Sequence, residues 1–346
     1  MAGKTSKTDY SPSLCHHYLM DRIEQSHRWD PDMDVVAWRN RFRPVLNELV
    51  MKNLPEERPD LDVVSLWRRQ VDQGIIEKIE FTVEAHCRAT AYVCLPANAK
   101  PPWTFCICLQ GHSSGMHNSV GLDKETEQEK ITVAGDRDFA LQCMERGLAA
   151  ICIDQRGLEG ERKEKRIASG HTCHQGALHA LMIGRTLIGE RVYDVDRVID
   201  YLATRGDVSM DRIGVMGNSG GGTTTVFSAA LLDRIAWAMP SCYFCTFRDS
   251  ILAVHHCLCN YVPDLYRHAE MAEVLGLFAP KPVVVVAGKD DKIFPIDSTR
   301  SEFERLKGIY ESSGEGEKCR LVVGSEGHRF YAEQAWPVML ELIDKI

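Results

Sequence analysis

The sequence predicts an α/β protein with a doubly wound, mostly parallel sheet and an N-terminal helical extension. From residue 103 onward, short apolar runs alternate with segments of helical periodicity, which is the rhythm of strands connected by helices. The runs are apolar throughout, as strands buried on both faces require, and residues 282–287 (PVVVVA) are the clearest of them. Another run, at residues 213–216, ends in a glycine-rich turn that leads into a further helical pattern.

Composition places the chain among ordinary globular proteins. It has 346 residues, of which 26% are charged and 44% hydrophobic, enough for one large domain or two smaller ones. A net charge of −8 argues against nucleic acid or an anionic membrane as a partner. The polar start lacks the apolar segment of a signal peptide, and no apolar run is long enough to span a membrane. The sequence does not define the oligomeric state, and a homo-oligomer is one of the alternatives.

Cysteine usage favours a cytoplasmic location. The 13 cysteines are an odd number and are scattered through predicted strands and helices. Such cysteines typically act as small core residues in a reducing compartment. We therefore expect free thiols and no structural disulfide bonds.

The first part of the chain, residues 1–72, is predicted to form the helical extension. Residues 1–11 are predicted to be disordered, and helical patterns follow at 12–28, 34–53 and 60–70. Either Asp32 or Asp34 is a suitable N-cap for the second helix. The second part, residues 73–346, begins with alternating apolar and polar residues that predict a β-hairpin over 74–84 and 87–95.

The rest of the chain supplies the parallel sheet. Apolar runs predict strands at 104–109, 148–154, 213–216, 235–240, 282–287 and 319–323. Helical patterns lie at 136–146, 175–188, 190–204, 220–230, 268–275, 298–310 and 331–346. Since the two kinds of element alternate, crossover connections and helices on both faces of the sheet are expected.

The glycine-rich turn carries the first catalytic signature. Ser219 lies between Gly217 and Gly221 in a G-x-S-x-G pattern, directly after a buried strand and before a helix. In a nucleophile elbow the serine adopts a strained conformation that exposes its hydroxyl, and neighbouring backbones come too close for side chains. A phosphate loop is the alternative, but no Gly-Lys-Ser/Thr sequence follows. We therefore expect Ser219 to be a nucleophile.

A serine hydroxyl requires a base, and the base requires an orienting acid. In this architecture the acid and the base follow the serine in that order, each just beyond the end of a strand. Asp290 and Asp291 follow the strand at 282–287, and His328 follows the strand at 319–323. His328 is the predicted base and Asp291 the favoured acid, with Asp290 as its direct competitor.

A tetrahedral oxyanion requires two preorganised N–H donors. The backbone N–H of Gly220, directly after the serine, is expected to be one of them. The backbone N–H of His112, in the loop after the 104–109 strand, is expected to be the other. The imidazole of His112 either lines the pocket or packs within the loop. No metal or cofactor is predicted.

These residues resemble the α/β-hydrolases, in the branch that contains acetyl xylan esterase-like and dienelactone hydrolase-like proteins. Five motifs carry the resemblance: LQGHSSG (109–115), DQRGLEGE (154–161), GNSGGG (217–222), GKDDKIFP (288–295) and EGHRF (326–330). The spacing in GKDDKIFP is similar to the family's strand-end motif and selects Asp291. The resemblance implies that residues 73–346 form a catalytic domain that hydrolyses esters. This chain departs from the family in two respects. Dienelactone hydrolases use a cysteine nucleophile, whereas this chain has Ser219, and secreted xylan deacetylases carry a signal peptide, which is not predicted here.

Other clusters are weighed against structural roles. Zinc-like elements occur at Cys242, Cys245, His255, His256, Cys257 and Cys259. The second cysteine pair, Cys257 and Cys259, is spaced C-x-C and departs from the usual C-x2-C. A cap over the active site is the favoured interpretation, with Ser113, Tyr243 and Phe244 lining a substrate pocket. His171, His174 and His179 suggest metal only weakly, and helix packing is the default interpretation.

The sequence thus predicts a serine esterase that acts on a small-molecule ester, such as a short acyl ester on a sugar. Two alternatives stay open. One is a peptidase similar to prolyl oligopeptidases, which share the fold and the order of the triad. The other is a hydrolase-fold protein that binds ligands without catalysis.

Overall fold

A single nine-stranded sheet organises the protein in a computed structural model that describes residues 10–167 and 173–346. In chain order its strands are β1 (Val64–Val71), β2 (Gly74–Glu84), β3 (Cys87–Pro96), β4 (Phe105–Leu109), β5 (Ala149–Ile153), β6 (Gly214–Asn218), β7 (Trp237–Ser241), β8 (Val283–Gly288) and β9 (Cys319–Gly324). They lie side by side in the order β1-β2-β3-β5-β4-β6-β7-β8-β9. The pairs β1–β2, β2–β3 and β3–β5 are antiparallel, and the remaining pairs are parallel. The predicted mostly parallel sheet is confirmed.

Helices cover both faces of this sheet. They are α1 (Pro12–Met20), α2 (Val35–Val50), α3 (Met116–Ser119), α4 (Phe139–Glu145), α5 (His174–Met182), α6 (Leu187–Ala203), α7 (Gly220–Leu231), α8 (Met271–Gly276), α9 (Ile296–Ser312) and α10 (Ala332–Ile343). One-turn 3₁₀ helices lie at Met210–Arg212, Leu258–Asn260, Leu265–Arg267 and Gly316–Lys318. In the described residues, no helix is both long enough and apolar enough to cross a lipid bilayer.

The two faces of the sheet bury separate hydrophobic clusters because successive strand residues point to opposite sides. In β4, Phe105 and Ile107 point toward α2, α6 and α7, whereas Cys106 and Cys108 point toward α4 and α10. All five β4 residues are buried, which explains the uninterrupted apolar run in the sequence.

The second helix confirms the prediction of a helix at 34–53. The Asp34 carboxylate accepts a hydrogen bond from the Ala37 N–H at 2.6 Å, so Asp34 rather than Asp32 is the N-cap. One face of α2 is buried in the same cluster as β4 and α7, through Trp38, Phe42, Leu46 and Val50. The division of the chain at residue 72 stays a prediction, but this face of α2 shares the core of the sheet.

Several predicted helices differ from the structure, and the one predicted at 175–188 ends at Met182. The predicted helix at 60–70 is wrong, because β1 occupies Val64–Val71 and pairs with β2. The first helix ends at Met20 rather than 28. The helix predicted from 190 begins at Leu187, where the Thr186 hydroxyl accepts a hydrogen bond from the Gly189 N–H at 2.9 Å.

The parallel strands place the candidate site residues at one edge of the sheet. The segments that follow β4, β6, β7, β8 and β9 all emerge at the carboxyl ends of their strands. Ligands of open α/β sheets bind at this edge, because loops from neighbouring strands converge there. His112, Ser219, Asp291 and His328 all lie in segments of this kind.

Candidate active site

The predicted sharp turn at Ser219 is present between β6 and α7. Ser219 has φ 57° and ψ −119°, a left-handed conformation that a residue with a side chain rarely adopts. Its N–H donates to the Ser241 carbonyl at 2.9 Å, which ties the turn to β7. A methyl group on Gly217 would lie 2.6 Å from the carbonyl oxygens of Gly221 and Leu109, and one on Gly221 would lie 2.0 Å from the Leu109 oxygen, so positions 217 and 221 require glycine. The turn is therefore held by backbone contacts on two sides.

His328 and Asp291 form a hydrogen-bonded pair. The Asp291 Oδ2 atom lies 2.7 Å from the Nδ1 atom of His328. The other carboxylate oxygen, Oδ1, accepts hydrogen bonds from the backbone N–H groups of Ile293 at 2.8 Å and Phe294 at 3.2 Å. Burial alone would raise the pKa of Asp291, but the hydrogen bond and charge of His328 and the two N–H donors lower it. Asp291 is thus held as a carboxylate beside the imidazole.

Asp290 has a different environment. Its side chain is exposed, and its backbone N–H donates to the Glu326 carbonyl at 2.9 Å. Of the two neighbouring aspartates, the structure therefore brings Asp291 to His328.

Aromatic rings surround His328. The Phe294 ring stacks on the His328 imidazole with ring centroids 5.8 Å apart, and it also contacts Tyr243 and His256. Burial, together with the nearby His112 and His328, lowers the pKa of His256 to about 4. His256 is consequently neutral at physiological pH, and its Nε2 atom is buried without a hydrogen-bond partner in the described residues. Sequence reasoning missed Phe294 and His256 as neighbours of the base, since both lie in irregular segments.

The loop after β4 lies against the elbow. A methyl group on Gly220 would lie 2.7 Å from Cε1 of the His112 ring, so that imidazole covers the start of α7. In the described part of the chain, neither the Gly220 N–H nor the His112 N–H has a hydrogen-bond acceptor. The Gln155 side chain fixes the loop by donating to the Gln110 carbonyl at 2.6 Å while accepting from the Thr224 hydroxyl at 2.9 Å. Gln155 belongs to the DQRGLEGE motif at residues 154–161.

The predicted pocket residues have contrasting environments. Ser113 is exposed and has φ 61°, and it follows His112 directly. Tyr243 is buried against Phe294, and Phe244 is buried in the main hydrophobic cluster. A substrate contact for each of these residues stays a prediction.

The cysteines and histidines of residues 242–259 do not form one cluster. The Cys242 thiol donates to the Arg329 carbonyl at 3.1 Å and lies beside Asp291 and His328. The Cys245 thiol points instead toward the Pro295 carbonyl. Cys257 and Cys259 lie with Cys173 and His112, whose Nε2 atom is 3.1 Å from the Cys259 sulfur. The imidazole of His112 therefore contacts both the start of α7 and a thiol. His174 and His179 lie on α5, and His171 lies outside the described residues.

Sequence comparisons match most of the chain to known proteins. The sequence model of the Abhydrolase family matches residues 11–315. YtaP of Bacillus subtilis (strain 168), named provisionally as a hydrolase, is 27% identical over 282 residues, which cover 81% of this chain and 90% of YtaP.

Solved structures share the fold. A Bacteroides fragilis NCTC 9343 protein, provisionally named an acetyl xylan esterase, has a TM-score of 0.74 and 17% identity, with 94% of this chain and 84% of that chain covered. The glucuronoyl esterase from Solibacter usitatus has a TM-score of 0.66 and 14% identity, with coverages of 90% and 94%.

Proposed function

Because the chain belongs to the Abhydrolase family, we propose that it is a serine hydrolase that cleaves carboxylic esters through an acyl-enzyme on Ser219. The observation that carries the proposal is the 2.7 Å contact between Asp291 and His328, at the same sheet edge as the strained Ser219. A buried carboxylate, an imidazole and a half-buried serine at an elbow are the parts that acyl transfer requires.

In the first half of the reaction, the Nε2 atom of His328 accepts the Ser219 hydroxyl proton as the serine oxygen attacks the ester carbonyl. Asp291 holds the imidazole with its proton on Nδ1 and stabilises the imidazolium that forms. The backbone N–H groups of Gly220 and His112, which have no acceptor among the described residues, donate to the oxyanion. The tetrahedral intermediate then collapses, and the alcohol leaves with the proton that His328 returns.

In the second half, water is the nucleophile. His328 accepts a proton from the water as it attacks the acyl carbonyl, and the same N–H groups hold the second oxyanion. Collapse releases the carboxylic acid, and the proton returns to Ser219. This cycle consumes one water per ester and requires no cofactor.

The proposed substrate is a small ester, such as a short acyl ester on a sugar. Structural relatives named as acetyl xylan and glucuronoyl esterases support a carbohydrate-linked ester, although at 14–17% identity they share only the fold. A panel of activated acyl esters of increasing length, an acetylated sugar, a methyl ester of a sugar acid and an aminoacyl amide separates these substrates. Turnover of the amide alone would favour the peptidase alternative.

The test of the proposed function is Ser219→Ala. The variant should lose turnover of an activated acetyl ester by on the order of 10⁴-fold or more, as expected when a triad serine is removed. A fluorophosphonate probe should label the wild-type protein at Ser219 and leave the variant unlabelled.

Ser228→Ala is the matched control. Ser228 lies on the same helix, α7, and its buried hydroxyl has no hydrogen-bond partner in the described residues. This variant should keep both labelling and turnover. Wild-type turnover in Ser219→Ala would refute the nucleophile, and a wild-type protein that resists the probe and cleaves no ester would favour the ligand-binding alternative.

A further inference from the structure

A second cluster of reactive side chains lies beside the oxyanion loop. His112 comes from the loop after β4, Cys173 from the segment before α5, and Cys257 and Cys259 from the 3₁₀ turn at residues 257–260. The ligand atoms of these four side chains all lie within 4.8 Å of one another. Cys173 and Cys259 are buried, and the other two are half-buried. Three distant segments therefore converge on a point that one ion could occupy.

The donor set fits a particular metal. Three thiolates and one imidazole are a usual ligand set of structural zinc, which binds four ligands in a tetrahedron. With Zn–S distances of about 2.3 Å, tetrahedral geometry places sulfur atoms about 3.8 Å apart. The four ligand atoms lie within 4.8 Å of one another, a spread about 1 Å wider than that spacing.

Charge is the second, independent observation. Arg191 on α6 has only 1% of its surface exposed, and its guanidinium donates to no carboxylate among the described residues. Its guanidinium donates to the Arg156 carbonyl at 3.0 and 2.7 Å and to the Cys173 sulfur at 3.1 Å, while its Nη1 atom has no partner in that part of the chain. A buried guanidinium remains charged and requires a nearby anion. Zn²⁺ with three thiolates and a neutral imidazole carries one net negative charge, which matches this requirement.

We propose that the Nε2 atom of His112 and the sulfur atoms of Cys173, Cys257 and Cys259 bind one zinc ion, with Arg191 as its buried counterion. This departs from the sequence-based expectation of no metal, and it replaces the ligand set suggested by residues 242–259. The ion joins the oxyanion loop to the segment before α5 and to the 257–260 turn. The four protein ligands fill the tetrahedron and leave no open position for a substrate, as in structural zinc sites. The ion therefore positions the loops and does not take part in the reaction.

The zinc site also constrains the His112 ring. A metal on Nε2 leaves the ring proton on Nδ1, the ring nitrogen nearer to Gly220. The loop that carries the His112 backbone N–H is thereby held against the start of α7. Its effect on turnover rests on the proposed function, whereas binding of the ion does not.

Metal analysis of the full-length protein tests the proposal. The wild type is expressed in zinc-supplemented medium, purified and dialysed against metal-free buffer. Inductively coupled plasma mass spectrometry should then find one zinc ion per chain. Cys259→Ala and Cys257→Ser should each lose that zinc. Replacement of zinc by cobalt(II) should produce the visible absorption of a tetrahedral thiolate site, which the two variants should lack.

Cys108→Ala is the matched control. Cys106, Cys108 and Cys143 form another cluster of three buried thiols, but no histidine among the described residues completes it. This variant should keep its zinc and its cobalt spectrum. Ser219→Ala should also keep them, which separates failure of the zinc site from failure of the proposed catalysis.

Several outcomes would overturn the site. They are a wild type that takes up neither zinc nor cobalt, a disulfide between any two of the three ligand cysteines in the purified protein, and zinc that persists in Cys259→Ala. Removal of the zinc by a chelator should lower kcat on the activated ester without unfolding the sheet, as followed by circular dichroism. A chelated protein with unchanged kcat would refute the positioning role.

Discussion

Two neighbouring aspartates at the end of β8 differ in what surrounds them. The Asp291 carboxylate is buried against His328 and two backbone N–H groups, whereas the Asp290 side chain is exposed. Asp291→Asn keeps the size of the side chain but favours the wrong imidazole tautomer. Its kcat on an activated ester should fall by on the order of 10⁴-fold, as in the serine protease template.

Asp290→Asn is the control for that measurement. Since its side chain contacts solvent, this variant should remain within a few-fold of wild-type kcat. A large loss in Asp290→Asn with little change in Asp291→Asn would reverse the assignment, and small losses in both would place the acid elsewhere.

Residues in local motifs were predictable, and residues joined only by the fold were not. Ser219, Asp291 and His328 each follow a recognisable strand, so spacing within short motifs located them. His112 and Cys259 are 147 positions apart. They meet only because β4 and β7 end at the same edge of the sheet, where the segments that follow these strands converge. Spacing rules for metal sites rely on ligand pairs that are close in sequence. Of the four proposed zinc ligands, only Cys257 and Cys259 form such a pair.

At the scale of elements, three glutamates lie buried between α8 and α9. Glu270 accepts hydrogen bonds from the Phe247 and Arg248 backbone, and Glu302 accepts one from the Ala272 N–H at 2.8 Å. Glu273 pairs with Arg305 and has no exposed side-chain surface. Burial, with the charges of Glu273 and Glu270, raises the pKa of Glu302 to about 8, and burial raises that of Glu270 to about 7.

These raised pKa values predict how stability depends on pH. Between the ordinary value of 4.5 and about 8, folded Glu302 holds a proton that the unfolded chain releases, so stability falls as pH rises through this interval. Glu302→Gln keeps the acceptor for Ala272 and carries no charge. Its free energy of unfolding, measured in urea across that interval, should fall less than that of the wild type.

Glu304→Gln on the same helix is the control, because Glu304 is exposed. Its pH profile should follow the wild type. A Glu302→Gln profile parallel to the wild type would mean that Glu302 is ionised in the folded protein throughout the interval.

The misassigned β1 strand illustrates what an element's sequence can and cannot reveal. Residues 64–71 are an edge strand whose exposed and half-buried positions alternate without one fully buried residue. Its apolar pattern was consequently too weak to distinguish a strand from a helix. The buried strand β8, by contrast, was evident because both of its faces are covered.

At the scale of the whole molecule, the N-terminal helix α2 and the sheet share one core. Phe42 is completely buried in the cluster that also contains β4, α7 and α9 residues. Phe42→Ala should lower the free energy of unfolding by about 3–5 kcal/mol, as for other buried aromatic truncations. Thermal unfolding should remain one transition, with far-UV and near-UV circular dichroism coincident.

Val36→Ala provides the comparison on the same helix. Val36 is 56% exposed, so its truncation should change stability by no more than about 0.5 kcal/mol. Two separate transitions, of which only the first responds to Phe42→Ala, would show that the extension folds as a unit of its own.

The aromatic residues near the N-terminus are synthesised long before the helices against which they pack. Trp29, just before α2, packs against Gly308 on α9, and Trp38 packs against Gly276 on α8. Gly308 is translated about 280 residues after Trp29, which takes roughly 14–56 s at usual rates of synthesis. Until α9 is synthesised, the Trp29 ring lacks the surface that covers it in the folded protein, and transiently exposed apolar surface of this kind promotes aggregation and chaperone binding.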